Sequence, residues 1–455
     1  MSPLTVNTPR PTPIRALPPT ERVAALADGG AVISLDAPRP SPHLARFGIR
    51  PQDDDGVSIA RIAIAGTPAL IAAQDERFLG GSVGANHGKA LHDIFVRART
   101  ERPAGVVLLL ASGGVRLHEA NAGELWHARA LRALLDTRAA GVPVLAVATG
   151  HVFGGASVLA CAADRLAMLP GTRIGVSGPK VIQSVHGKWE LDAARPSDVD
   201  AVFGATARSA AGDVDLVADD ADALRAWIRV AFAQTQPFAE RVASTHATLA
   251  ARVSPCALRA ERPFTGALAA ARPEDSSGWL WGINGVLATR PAGSAPFGAA
   301  FAHALDGALL ARFREAPNVP STRVLIVEDS AGHEVSRAAE MRFLSRSLAH
   351  HAAVLALLRA RGHRLSGLLA GTGHSAAFFV NALQASPLYA LPHARVVAME
   401  PSAIARITGL RAGTLIEDDP LLGQPVRHLA ALGGVDEILH DDRLASLLAG
   451  EEGMR

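Results

Sequence analysis

Cysteine is nearly absent: Cys161 and Cys256 are the two in 455 residues, and neither has a second Cys or a paired His nearby. That excludes a disulfide framework and a zinc cluster, and a reducing cytoplasm is the expected setting. An excess of charge is also missing, since 45 Lys and Arg face 43 Asp and Glu. A formal charge of +2 gives no basic footprint for nucleic acid. No apolar run nears the ~18–20 residues of a membrane span, Val106 to Ala111 being typical of the longest. The amino-terminal stretch, with Pro3, Pro9, Pro11, Pro13, Pro18 and Pro19, lacks the continuous apolar core of a signal peptide. Residues 1–29 are therefore expected to be an extended leader with no export role. HExxH, His-x-Glu with CxxC and clustered acidic loops are missing too, so no catalytic metal is implied.

What is present is apolar residue in quantity, 49% against 19% charged, in a chain longer than the ~250–300 residues at which one core usually stops growing. Short apolar runs alternate with segments of helical period, the pattern of an α/β fold whose strands are covered on both faces. Strands are expected at Ala31 to Leu35, Val57 to Ala65, Ala69 to Ala73, Gly105 to Ala111, Val144 to Ala148 and Arg165 to Leu169. Helices are expected near Gly84 to Arg99, Glu119 to Thr137 and Gly154 to Ala162. A second series has helices at Ala299 to Arg314, Val335 to Ala360 and Ser375 to Gln384. Its strands are Arg323 to Val327, Ser366 to Leu369 and Arg395 to Met399.

The order of elements repeats. Ser112 in LLLASGG matches Ser330 in LIVEDSAG, an offset of 218. Gly141 matches Gly362, Gly150 matches Gly371 and Val176 matches Val397, each at an offset of 221. Two copies of one unit, the second longer by a three-residue insertion after the first match, explain both values. The expected division is a leader over 1–29, a first domain over 30–251, a Pro-rich and polar linker over 252–277 and a second domain over 278–455.

Two glycine loops, ASGGVRLHE and ATGHVFGGAS, follow strands that end on the same edge of the first sheet. Glycine allows close backbone approach, and a helix start leaves N–H groups unpaired. Side by side, Gly113 or Gly114 and Gly154 or Gly155 suit an oxyanion hole. The plainer alternative is that these glycines serve only tight turns. A third segment, FLGGSVGANHGKALHDIF, lacks nucleotide-loop spacing, but its Gly81 and Lys89 suit a phosphate of a larger ligand. Arg116 follows the first glycine pair and suits an anionic substrate, or is a solvated loop arginine. Among the histidines near these loops, His87, His118, His151 and His186 read mainly as structural, whereas His333 and His374 fall at repeat-equivalent loops and suit proton donation. Ser112 and Ser157 raise a serine hydrolase as another class, although neither lies in GxSxG.

GGSVGANHGK, ASGGVRLHE, GVPVLAVATGHVFGGAS and RIGVSGPKVI, in order between residues 80 and 183, resemble the β subunit of biotin-independent malonate decarboxylase. That subunit is itself similar to the carboxyltransferase subunits of acetyl-CoA carboxylase. The helix after Val335, RARGHRLSGLLAG, HSAAFFVNALQ and VVAMEPSAIARITG resemble the γ subunit of the same enzyme. The resemblance spans roughly residues 30 to 440 and implies a fusion of the two subunits as tandem crotonase-like (spiral ββα) domains. It implies decarboxylation of a malonyl thioester to acetyl thioester and CO2 through an enolate held by backbone N–H groups. The substrate would ride on the CoA-derived arm of an acyl carrier protein, with a separate malonate/acetate transferase subunit, no tightly bound cofactor and no biotin. Nucleic acid and membrane are not expected partners, and a homo-oligomer is compatible. The second half departs from the pattern: SAGHE stands for SGGVR, and Ser375 is followed by Ala376 where a glycine is typical. The thioester hole is thus expected in the first half, with Gly332, His333, His374 and Ser375 on the opposite wall. A biotin-dependent acyl-CoA carboxyltransferase and a thioester hydrolase are the alternatives.

Overall fold

The computed structural model describes residues 12–256, 262–274, 276–314, 321–411, 413 and 417–449. Unalternating apolar runs demand cover on both faces, and Gly105 to Ser112 is buried along its whole length. The first sheet consists of β1 (Val32–Ser34), β2 (Val57–Ile64), β3 (Thr67–Gln74), β4 (Gly105–Ser112), β5 (Val144–Phe153), β6 (Arg165–Met168), β7 (Ile174–Gly175) and β8 (Asp215–Leu216). Its order is β1-β2-β3-β4-β5-β6-β8, with β7 paired to the far end of β5. β1, β2 and β3 are antiparallel to one another and the rest run parallel.

The second half supplies β9 (Arg272–Pro273), β10 (Leu280–Ile283), β11 (Val286–Thr289), β12 (Arg323–Glu328), β13 (Arg364–Leu369), β14 (Thr372–His374), β15 (Leu388–Ala390), β16 (Arg395–Val397) and β17 (Glu437–Ile438). Read from β9, its order is β9-β10-β11-β12-β13-β15-β17, again antiparallel over the first three and parallel after, with β14 paired to β16. The two sheets therefore share one topology, and the molecule is the tandem crotonase-like α/β arrangement. Register repeats as well. Val106 pairs with Val144 in the first half, and Val324 with Leu365 in the second, which reproduces the offsets of 218 and 221. Ile174 pairs with Val152 as Val396 does with Gly373, so by the third loop the offset has become 222, one more than the sequence match of Val176 with Val397.

The helices are α1 (Pro19–Leu26), α2 (Ala85–Glu101), α3 (Ala120–Ala139), α4 (Gly155–Cys161), α5 (Pro179–His186), α6 (Pro196–Phe203), α7 (Ala205–Ala210), α8 (Ala221–Ala233) and α9 (Phe238–Ala250) in the first half. The second half has α10 (Ala299–Arg312), α11 (Arg337–Met341), α12 (Leu344–Ala360), α13 (Ser375–Val380) and α14 (Pro401–Thr408), followed by Val426–Ala431 and Asp441–Ala449. One hydrophobic core runs through both halves, taking in Leu131 and Leu134 of α3, Leu159 of α4, Leu348 and Leu355 of α12 and Phe379 of α13.

Four expectations need correction. The leader is not extended throughout: Pro19, at the first helical position where its missing N–H costs nothing, opens α1, and Val23 and Leu26 are buried. The helix expected over Val335 to Ala360 is two helices, because Phe343 adopts φ +62 and is fully buried beneath the Arg208 and Arg346 guanidiniums. ATGHV is no loop but the end of β5, which continues past a register shift opposite Leu110 to Ser112. Within 252–277, Phe264, Leu268 and Ala271 are buried against the second sheet and β9 pairs with β10, so this stretch closes that sheet rather than hanging between domains. Residues 257–261 and 275 of that stretch, and 1–11 of the leader, lie outside the described residues.

Candidate active site

Parallel strands point their carboxyl ends to one edge, so the loops after β4 and β5 emerge together. Gly114 has φ +99 and Gly154 φ +63, conformations that favour glycine. The loops touch backbone to backbone: a Cβ on Gly114 would lie 3.4 Å from the Gly154 Cα, and one on Gly154 would lie 3.1 Å from the Gly114 Cα. Their amides are not equivalent. Gly113 N–H donates to the Gly80 carbonyl at 2.9 Å, and Gly154 N–H to the Gly175 and Val176 carbonyls at 3.1 Å, so neither is an available donor. Among the described residues, Gly114 N–H reaches only the Ser112 Oγ, at 3.2 Å. Gly155 opens α4, where a helix leaves its first N–H groups without intrahelical acceptors. The four glycines expected to supply an oxyanion hole thus reduce to Gly114 and Gly155.

The second half meets the first-half loops through His333, which reaches Ser177, and Phe379, whose ring lies 3.3 Å from where a Cβ on Gly155 would stand. Gly332 has φ +100, and its carbonyl accepts from Phe297 N–H as the Gly114 carbonyl accepts from Val83 N–H. Ser375 has φ +53 at the start of α13. The changed letters of SAGHE and HSAAF therefore keep the backbone shape of the first-half loops. What differs is the filling. The His374 ring lies against Gly332, 3.0 Å from where a Cβ would stand, and its Nε2 is 3.7 Å from a Glu400 oxygen. His333 Nε2 lies 3.0 Å from the Ser177 Oγ on the first-half loop after β7. Burial, with His374 close by, pushes His333 down to about 4, so it is neutral near pH 7. Burial also lowers His374, while Glu400 acts to raise it.

Some expected residues fall elsewhere. Arg116 is buried, with Nη1 2.6 Å from Asp55 and 2.9 Å from Glu119, so its charge is consumed inside the first domain and it is not a substrate clamp. Lys89 is exposed on α2 and pairs with Asp93 at 2.8 Å. Gly81 packs its Cα under the strand end, where a Cβ would run into the Ala111 carbonyl oxygen. Ser157 bonds the Gly154 carbonyl and the Ser345 hydroxyl, and Ser112 accepts from Gly114, so neither serine meets a histidine.

Other groups at the junction carried no local signal. Glu340 of α11 accepts from Ser177 N–H at 2.7 Å and Val176 N–H at 3.3 Å, fixing the third loop, and burial lifts its carboxyl to about 7. Glu124 and His127 lie on α3, which is buried on nearly every side, so no periodic pattern singles them out. His127 packs against Gly155 and the Phe379 ring, its two ring nitrogens lack hydrogen-bond partners among the described residues, and burial drives it down to about 3. Burial lifts Glu124 to about 8, with Glu328 adding to the effect. Glu328 accepts from Ser330 and Asn381, and Asn381 leads on through His351 to Asp306. Among the described residues no group of three or more His, Cys, Asp or Glu is placed to hold a metal ion, and no helix is long and apolar enough to cross a membrane.

Residues 21–248 match the carboxyl transferase domain family, and residues 292–451 match the malonate decarboxylase gamma subunit family. A malonyl-S-ACP:biotin-protein carboxyltransferase of Malonomonas rubra is 32% identical over 226 residues, which cover 46% of this chain and 70% of that protein. The fused carboxyl transferase subunits beta/alpha of acetyl-coenzyme A carboxylase from Parafrankia are 33% identical over 181 residues, 36% of this chain and 29% of that one. Among solved structures, a Pseudomonas malonate decarboxylase hetero-tetramer in complex with malonate has 32% identity and a TM-score of 0.50, covering 56% of this chain and 95% of that one. With half its length matched by one family and most of the rest by the other, the chain belongs to the carboxyl transferase family and joins a carboxyl transferase domain to a malonate decarboxylase gamma-subunit domain in one polypeptide.

Proposed function

We propose that the chain decarboxylates a malonyl thioester carried on an acyl carrier protein, giving acetyl thioester and CO2. The observation that carries this reading is the meeting of the Gly114 and Gly154 backbones beside the free start of α4, with His333 of the other half reaching the Ser177 hydroxyl on the neighbouring loop. Loss of CO2 breaks the bond between carboxyl carbon and α-carbon. Its electron pair moves into an enolate whose charge collects on the thioester oxygen. Gly114 N–H, released from Ser112, and Gly155 N–H stabilise that charge more than they stabilise the ground-state carbonyl. In this reading His374, half-buried and beside Glu400, returns a proton to the α-carbon. His333, neutral and tied to Ser177, orients the carboxylate end. No step needs a metal or a tightly bound cofactor.

A second reading has one observation in its favour. The Malonomonas relative passes the carboxyl group to a biotin protein, and the backbone at Gly332 and Ser375 keeps the shape of a second glycine loop. Purified chain given malonyl carrier protein separates the two. Release of CO2 and formation of acetyl carrier at equal rates with avidin or with added biotin carrier supports the decarboxylase. Turnover that needs a biotin carrier and stops with avidin favours the transferase.

A further inference from the structure

One cavity among the described residues lies away from the glycine loops. It measures about 620 Å³ and sits where β6 and β8 begin, at the amino-terminal edge of the first sheet, opposite the edge from which the loops after β4 and β5 emerge. Four arginines from separate stretches of chain line it: Arg165 at the start of β6, Arg241 on α9, Arg252 just beyond α9, and Arg346 on α12 of the second half. Two carboxylates stand against these four cations, and both are taken. Asp215 accepts from Arg165 at 2.7 Å and from the Trp227 indole at 2.9 Å. Asp213 is buried between Arg208 and Arg252.

That leaves Arg241 and Arg346. Arg241 gives one hydrogen bond to the Asp164 backbone carbonyl at 3.2 Å, and Arg346 one to the Asp213 backbone carbonyl at 2.6 Å. Neither forms an ion pair among the described residues, and Arg346 stands close enough to disfavour the charge of Arg241: burial, then Arg346, lowers Arg241. Both also line a second, smaller pocket, and Thr245 lines the two pockets with them. The hydroxyls of Ser244 and Thr248 donate into their own helix, whereas those of Ser209 and Thr245 are left to face the space. Two unpaired guanidiniums and two hydroxyls converging on a cavity of small-molecule size form a donor set without an acceptor.

We propose that this cavity binds a phosphorylated small molecule carrying at least two negative charges, held between Arg241 and Arg346, at a site separate from the one where malonyl chemistry occurs. Guanidinium forks match phosphate oxygens two at a time, and an anion there removes the repulsion between the two cations. The ligand draws on both halves of the chain, since Arg346 belongs to the second and Arg241 to the first.

The test is calorimetric titration of the full chain at 0.15 M salt with pyrophosphate, AMP, sulfate and malonate as probes. The expected result is binding of pyrophosphate or AMP that weakens at least tenfold in an Arg241→Gln, Arg346→Gln double variant. Pyrophosphate binding without AMP identifies an inorganic phosphate or diphosphate ligand, and binding of both identifies a phosphate ester. If sulfate and malonate bind as well as pyrophosphate, or if the double variant binds unchanged, the proposal is overturned. Thr245→Glu keeps it testable should the double variant fail to fold. A carboxylate on the same lining as the two cations is expected to raise the melting temperature and abolish pyrophosphate binding, and a fall in melting temperature with binding intact counts against the site. Malonyl turnover, read separately, reports on the other site.

Discussion

Ser375 takes a positive φ in the second half where Gly154 does in the first, at the same offset of 221, with φ +53 against +63. A serine there bears strain of ~1–2 kcal/mol that glycine does not, while glycine loses more freedom on folding. Ser375→Gly is therefore expected to stabilise the chain by ~0.5 kcal/mol, and Gly154→Ala to destabilise it by more than ~1 kcal/mol. Denaturant midpoints of the two variants check both signs. Equal effects of the same sign would show that the two positions do not share one backbone role.

Buried carboxyls give a second expectation. Burial lifts Glu124 to about 8 from an ordinary value near 4.5, and lifts Glu328 and Glu340 to about 7. The folded chain thus keeps protons that the unfolded chain has released, so stability falls as pH rises from about 4.5 through 8. Glu124 has one oxygen without a hydrogen-bond partner among the described residues, and Glu124→Gln removes its charging step. The variant is expected to lose ~2–5 °C less in melting temperature between pH 6 and pH 9 than the parent chain. Parallel curves for the two proteins would place the titration elsewhere.

The repeat was legible because strand pairing fixes spacing. Val106 must face Val144 and Val324 must face Leu365 whatever side chains they carry, so offsets of 218 and 221 survive divergence. Helix α1 was not legible, since six prolines mask a segment that Val23 and Leu26 tie to the core. Nor was the break at Phe343, where a tertiary contact, burial under two guanidiniums, overrides a continuous helical pattern. At the site, sequence placed glycines at the right strand ends but could not say which amides were already spent. That depends on Gly80, Gly175 and Val176, contributed by neighbouring loops. Arg116 misled for a related reason: its partner Asp55 is remote in sequence, on the far side of β2, β3 and α2.

The last expectation isolates one amide. Gly155 stands at the first position of α4, where proline is accommodated and where the lost N–H has no intrahelical acceptor. Gly155→Pro therefore deletes the proposed donor while leaving the helix its start. Any residue larger than glycine also meets His127, 3.0 Å from the new Cβ, and Phe379 at 3.3 Å. Gly155→Ala meets the same neighbours but keeps the N–H, so the ratio of the two variants cancels much of the packing cost. If Gly155 N–H binds the enolate oxygen, malonyl turnover in Gly155→Pro is expected to fall ~10²–10³-fold below that in Gly155→Ala, at similar melting temperatures. Comparable turnover in both would mean that this amide does not bear the charge, and the donors would then have to be sought around Gly332.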